Sequence, residues 1–174
     1  LPNHRYAVGF GGDVRQSWES LGPMVTTTAT AANVAFAYWG QELMQDGGGV
    51  SQPQLFARVC QFGAWSPVYT NYGNADSNDN VWELPTPFLD AIRRAVTHRA
   101  MLLPLRYTLA WRAHVTGLAP VRPLYYHFAR HAPEAYSFPQ TYMMGPNLLV
   151  APATGPLGGD RTDANRSVGV VGVS

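Results

Sequence analysis

The strongest constraint on this chain is a change of pattern near Thr116. Before it, short apolar runs alternate with stretches of helical period; after Gly117 no helical period recurs. The run Tyr-Ala-Val-Gly-Phe-Gly-Gly-Asp at 6–13 predicts a buried strand that ends in a glycine-rich turn. A helix follows over 17–32, interrupted at Gly22-Pro23. A second strand is predicted over 33–39, a helix over 54–61 with Leu55, Val59 and Phe62 on one face, and a third strand over 63–69. The clearest helix starts at Thr86 as N-cap, with Pro87 in the first helical position and Asp90 in the first turn. Its apolar face is Leu89, Ile92, Val96 and Leu103; Pro104 breaks it, and a second helix runs over 105–115 to a stop at Gly117. Residues 121–128 and 147–151 read as strands. This order predicts parallel β/α units followed by the start of a β domain. Eight such units close a barrel in roughly 250 residues, so three make only its last part.

The composition narrows the classes. The chain has 174 residues, 46% hydrophobic and 13% charged, which excludes a disordered segment. No apolar run reaches the roughly 18 residues of a membrane span. A net charge of +1, with twelve arginines and no lysine, offers no basic patch for nucleic acid. One cysteine, Cys60, excludes an internal disulfide framework. The start at Leu1 and the Gly/Val/Ser tail read as an internal piece of something longer.

Several chemistries lack their motifs. There is no Gly-x-Ser-x-Gly elbow, and Gly9-x-Gly11-Gly12 fails the dinucleotide pattern and carries Asp13 where a pyrophosphate would sit. His127 and His131 stand four apart without the adjacent glutamate of a metalloprotease. The acidic loop at 76–80 has Val81 where a calcium loop needs glycine and Pro87 where it needs glutamate. No metal or cofactor is expected. The informative place is Asp13, which follows two glycines and lies between Phe10 and Trp18. A carboxyl just past the C-terminal end of a barrel strand sits where barrel enzymes place catalytic groups. The later strands end similarly, in Tyr38, Trp39, Gln41 and Glu42, and in Tyr69, Asn71, Tyr72 and Asn74. Aromatic platforms with amides and carboxylates suit sugars. The same pattern also fits Asp13 as a cap of the following helix and the aromatics as core.

The segment at 4–21, with Phe10-Gly-Gly-Asp13 and Trp18-Glu-Ser-Leu21, resembles the acid/base segment of glycoside hydrolase family 31, the α-glucosidase, maltase and α-xylosidase family. The resemblance continues in register through Tyr38-Trp39, Leu55-Phe56-x-Arg58 and Gln61-Phe-Gly-Ala-Trp-Ser-Pro67. It extends through Leu102-Leu-Pro104, Tyr107-Thr108, Arg122-Pro-Leu-Tyr-Tyr126 and Tyr142-Met-Met-Gly-Pro-Asn-Leu-Leu-Val-Ala-Pro152. It covers about residues 4–156.

The resemblance implies an α/β fold: strands six to eight of a (β/α)8 barrel over residues 1–118, then the beginning of a β-sandwich domain over 119–174. It implies a retaining α-glycosidase acting on α-linked glucose or a related sugar, with Asp13 as acid/base and Phe10, Trp39, Glu42 and Tyr72 lining the sugar pocket. The family's nucleophile segment, Trp-x-Asp-Met-Asn-Glu, is absent from these residues, so the chain alone is expected to be inactive and to pack against polypeptide that completes its barrel. One carboxyl cannot serve as both acid/base and nucleophile in a retaining mechanism. Two places depart from the family pattern. After strand seven, Gln41-Glu42 stands for His-Asp; after strand eight, Thr70 and Tyr72 stand for an arginine and a histidine. The alternative is a catalytically inactive homologue that acts as a carbohydrate-binding or structural partner. The resemblance is compatible with a secretory, lysosomal or extracellular location; the residues name no compartment.

Overall fold

The computed structural model describes residues 6–43, 52–71 and 80–156, together with the backbone of 169–172. At its centre lies α2 (Pro53–Ala64), buried continuously from Leu55 to Ala64. Pro53 occupies the first turn, where its missing N–H costs nothing. The two buried polar side chains of α2, Arg58 and Gln61, bond to each other at 2.9 Å, which lets the helix be packed on all sides. On one side run α3 (Thr86–Met101) and α4 (Leu103–Thr116); on another lie α1 (Trp18–Thr30) and the short strands.

Those strands are β1 (Val8–Phe10), β2 (Tyr38–Gly40), β3 (Glu42–Leu43) and β4 (Thr70–Asn71). β1 pairs with β2 in parallel, Phe10 opposite Gly40, and β3 pairs with β4 in parallel, Glu42 opposite Thr70. Gln41 alone separates β2 from β3, so one run of chain meets β1 along its first half and β4 along its second. Of the three expected strands, the first survives as β1 and the second only from Tyr38; the third, over 63–69, is absent, and its place is taken by the two residues of β4 just after it. β5 (Val121–Pro123), β6 (Tyr142–Met144), β7 (Leu148–Ala151) and β8 (Gly169–Gly172) form an antiparallel sheet in that order. Between β5 and β6 lies a one-turn helix, α5 (Tyr125–Phe128).

Five boundaries differ from expectation, each for an identifiable physical reason. α1 runs through Gly22-Pro23 unbroken: Ser17 and Ser20 form a reciprocal capping box, and the buried face Leu21, Met24, Val25 and Ala29 outweighs the bond lost at Pro23. Residues 31–34 form a 3-10 turn closed by Ala35 in the left-handed region (φ 62°), which confines the second strand to Tyr38 onward. Residues 63–69 are not a strand, because α2 continues to Ala64 and the carbonyls beyond it are claimed by arginines. The N-cap position of α3 is Pro85, without a side-chain cap, and Asp90 lies beyond the first turn, where it pairs with Arg93. The buried face of α3 is Ala91, Ile92 and Ala95; Val96 and Leu103 are exposed. Residues 125–128 are helical rather than extended, held by Tyr125 stacking on Tyr136 at 4.8 Å and by its hydroxyl meeting Asn33. The break near Pro104 and the stop at Gly117 (φ 73°) stand where expected.

The carbonyls at the C-terminal end of α2 gather two cations. Arg99 donates through Nη1 to Gly63, Ala64 and Ser66 and through Nη2 to Pro67 (3.3, 3.1, 2.8 and 3.1 Å). Arg106 donates to Ser66 at 3.0 Å and to Ala64 at 2.6 Å. A helix C-terminus is the negative end of its dipole, so cations belong there. Burial first, and Arg99 second, lower the Arg106 guanidinium to about 10, which leaves it charged at neutral pH. From β6, the Tyr142 hydroxyl donates to the Trp65 carbonyl at 3.1 Å. Gly63 lets β3 lie against this end: a Cβ there would stand 2.0 Å from Leu43 Cδ1.

Burial also pushes the Cys60 thiol up to about 12 from an ordinary 9.0, and raises the Tyr69 and Tyr142 phenols. The folded chain keeps protons that the unfolded chain sheds, so this share of stability is complete below about pH 9 and declines as pH rises toward 12. Urea unfolding at pH 8, 9 and 10 should show stability falling by up to about 1.4 kcal/mol per pH unit above pH 9. Cys60→Ala should flatten that slope between pH 9 and 10.

Candidate active site

The site is built where β1, β3 and β4 end. The Gly11 N–H donates to the Gly40 carbonyl at 3.0 Å, carrying the β1–β2 ladder one residue past the strand. Gly12 then turns the chain in the left-handed region (φ 84°) and presents Asp13, exposed, on the loop before α1. Asp13 does not cap that helix, because Ser17 does.

Alternation along the strands sorts the side chains into two faces. On one face Trp39 and Gln41 press on glycines. A Cβ at Gly9 would lie 2.6 Å from Trp39 Cε3, and one at Gly11 would lie 1.9 Å from Gln41 Oε1. Trp39 meets Phe36 edge-on at 5.6 Å, and with Tyr6 and Phe10 they flank a cavity of about 280 Å³. On the other face Phe10, Gly40, Glu42, Val68, Thr70 and Asn71 line a cavity of about 360 Å³. One oxygen of Glu42, Oε2, is buried there without a hydrogen-bond partner, as is Trp39 Nε1. The carbonyls at the strand break are met from both sides: Thr70 Oγ1 donates to Gln41 at 3.3 Å, and Gln16 Nε2 to Glu42 at 3.2 Å.

Of the residues expected from sequence, Phe10 and Glu42 share the larger cavity, and Trp39 lies with Phe10 on the smaller one. Asp13 lines neither of these two cavities. Tyr72 lies outside the described residues, as do residues 76–79 of the acidic loop. His127 takes Arg122 as its neighbour, at 3.0 Å, and among the described residues no three His, Cys, Asp or Glu side chains gather to hold a metal. Sequence reasoning missed Gln16, a buried amide in a loop that no periodicity marks.

Residues 2–109 match the model of the glycosyl hydrolases family 31 TIM-barrel domain, and residues 117–168 match the family 31 C-terminal domain. The chain belongs to glycosyl hydrolase family 31. Its relatives include the lysosomal alpha-glucosidase of Mus musculus, 34% identical over 156 residues, which are 87% of this chain and 16% of that protein. The neutral alpha-glucosidase AB of Sus scrofa is 29% identical with the same shares. The cycloalternan-degrading enzyme from Trueperella pyogenes, solved in complex with a covalent intermediate, superposes with a TM-score of 0.76 at 26% identity. That match covers 86% of this chain and 22% of that one. The chain thus spans about a sixth of the curated relatives named here.

The two glycines of the turn make separate demands. Gly11→Ala drives a methyl into the end of the buried Gln41 side chain, which must shift to make room, and should cost about 1–3 kcal/mol. Gly12→Ala meets no atom within 4 Å and bears only the left-handed strain, about 1 kcal/mol. Thermal melting of the two variants should rank them in that order.

Proposed function

We propose that this chain is the part of a retaining α-glycosidase that supplies strands six to eight of its barrel, and that Asp13 is the acid/base carboxyl. In this reading residues 1–118 complete a (β/α)8 barrel and residues 119–174 begin a β-sandwich domain. The observation that carries it is the placing of Asp13, one left-handed glycine past the end of a parallel strand, on a loop bonded to β3 beside the cavity that holds Phe10 and Glu42. Barrel chemistry sits at that end of the strands.

The carboxyl of Asp13 protonates the glycosidic oxygen as the bond to the anomeric carbon breaks. A second carboxylate, about 5 Å away and contributed by barrel strands outside this chain, attacks that carbon and forms the glycosyl-enzyme. Asp13, now ionised, takes a proton from water as the intermediate is hydrolysed. The substrate is an α-linked glucoside or a related sugar, as the relatives named alpha-glucosidase and the Saccharolobus solfataricus protein named Alpha-xylosidase suggest. Glu42 stands one methylene longer than the family's aspartate and lines the larger cavity with Phe10. By the resemblance, Tyr72 stands in the sequence where the family has a histidine.

The rest of the barrel is the partner this chain requires. Val8 and Phe10 are half exposed, and Leu103, Tyr107 and Trp111 form an exposed apolar stripe on α4 (65%, 77% and 61%). Apolar surface of that extent marks an interface.

In the complete protein, Asp13→Asn should lower kcat on a natural α-glucoside by about 10²–10⁴-fold. Glycosides with activated aryl leaving groups should be spared in the first step, and their covalent intermediate should accumulate, visible by intact mass. Unchanged hydrolysis of the natural substrate would remove Asp13 from this role, and a complete protein that turns over no α-glycoside at all would favour the non-catalytic homologue.

A further inference from the structure

The loop that carries Asp13 is anchored at two points. Upstream, the Gly11 N–H holds to Gly40. Between that anchor and Asp13 lies Gly12, whose backbone is left-handed and whose Cβ direction meets nothing within 4 Å, so it imposes no steric limit on the loop. Downstream, three residues past Asp13, the Gln16 side chain is 2% exposed and its Nε2 donates to the Glu42 carbonyl at 3.2 Å. One amide therefore bridges the segment that bears the Asp13 carboxyl and the strand that bears the Glu42 carboxyl.

Gln16 is a poor choice for stability alone. Its Oε1 is buried without a partner, and an unmet buried acceptor costs about 1–3 kcal/mol. An apolar side chain of the same length would fill the space without that cost. We infer that Gln16 is a positioning residue which fixes the reach of Asp13 relative to Glu42, and so controls proton delivery to the leaving-group oxygen. This inference rests on the acid/base reading of Asp13 and adds to it the residue through which the loop is held. Small errors in the placement of a proton donor cost large factors in rate, up to about a hundredfold for 1 Å.

The test is a double-mutant cycle in the complete protein with Gln16→Met, which keeps the length and volume and removes the amide. Melting temperature should stay near that of the parent. The value of kcat/KM on a natural α-glucoside should fall about tenfold or more, while kcat/KM on an activated aryl glycoside, which reports the first step and needs little protonation, should change less than twofold. In the Asp13→Asn background, Gln16→Met should add nothing. Gln16→Asn, which keeps an amide but is one methylene too short to bridge, should show the same leaving-group dependence and serves if the methionine variant folds poorly.

Equal losses on both substrates, losses that multiply in the Asp13→Asn background, or parental activity in both variants would each overturn the inference while leaving Asp13 in place. Unchanged activity of the Asp13→Asn variant on the natural substrate would instead overturn the acid/base reading and this inference with it.

Discussion

The C-terminal end of α2 is the point on which the described structure turns. Four successive elements meet its free carbonyls or depend on how they are met: α3 through Arg99, α4 through Arg106, β6 through Tyr142, and the approach to β4 through Ser66 and Pro67. A buried helix end with unpaired carbonyls would be costly, and water has little access here. Two guanidiniums supply donors in number and also match the sign of the dipole. The arrangement has its own tension, since the arginines repel each other and burial disfavours both. It holds because each is bound by several carbonyls at once, and the loop they grip delivers Val68 and Thr70 to the edge of the cavity.

The site adds a second layer of close contacts. Trp39 and Gln41 occupy space that is available only because their neighbours on β1 and its turn are Gly9 and Gly11. This removes two side chains from β1 and its turn, while Phe10 stands with Glu42 along the larger cavity. Gln41 interrupts the strand, and Thr70 and Gln16 satisfy the carbonyls on either side of the interruption.

How much of this could be read from the residues depends on how local the cause is. The break at Pro104 and the stop at Gly117 have causes within a few residues, and both were legible. The turn at Gly11-Gly12 and the aspartate after it were legible for the same reason. Residues 63–69 looked extended because they are apolar and aromatic, but arginines some 35 positions away fix their path. Residues 33–34 looked extended until Ala35 took a left-handed conformation that its sequence does not demand. The helical turn at Tyr125 depends on rings and an amide brought in from residues 136 and 33. Gln16 was invisible for a different reason: a polar residue in a loop is ordinarily solvated, and only the fold buries this one. The family, by contrast, was evident because its motifs are spread in register over most of the chain.

The hand-over of pairing at Gln41 has a geometric consequence. Gly40 is bonded to the end of β1, yet Glu42, only two residues further on, is already opposite the first residue of β4. The run 38–43 thus meets β1 along its first half and β4 along its second, so β1 and β4 are offset from each other along it. Repeated from strand to strand, offsets of that kind tilt the strands of a sheet, and carried round a full turn they are the shear of a barrel.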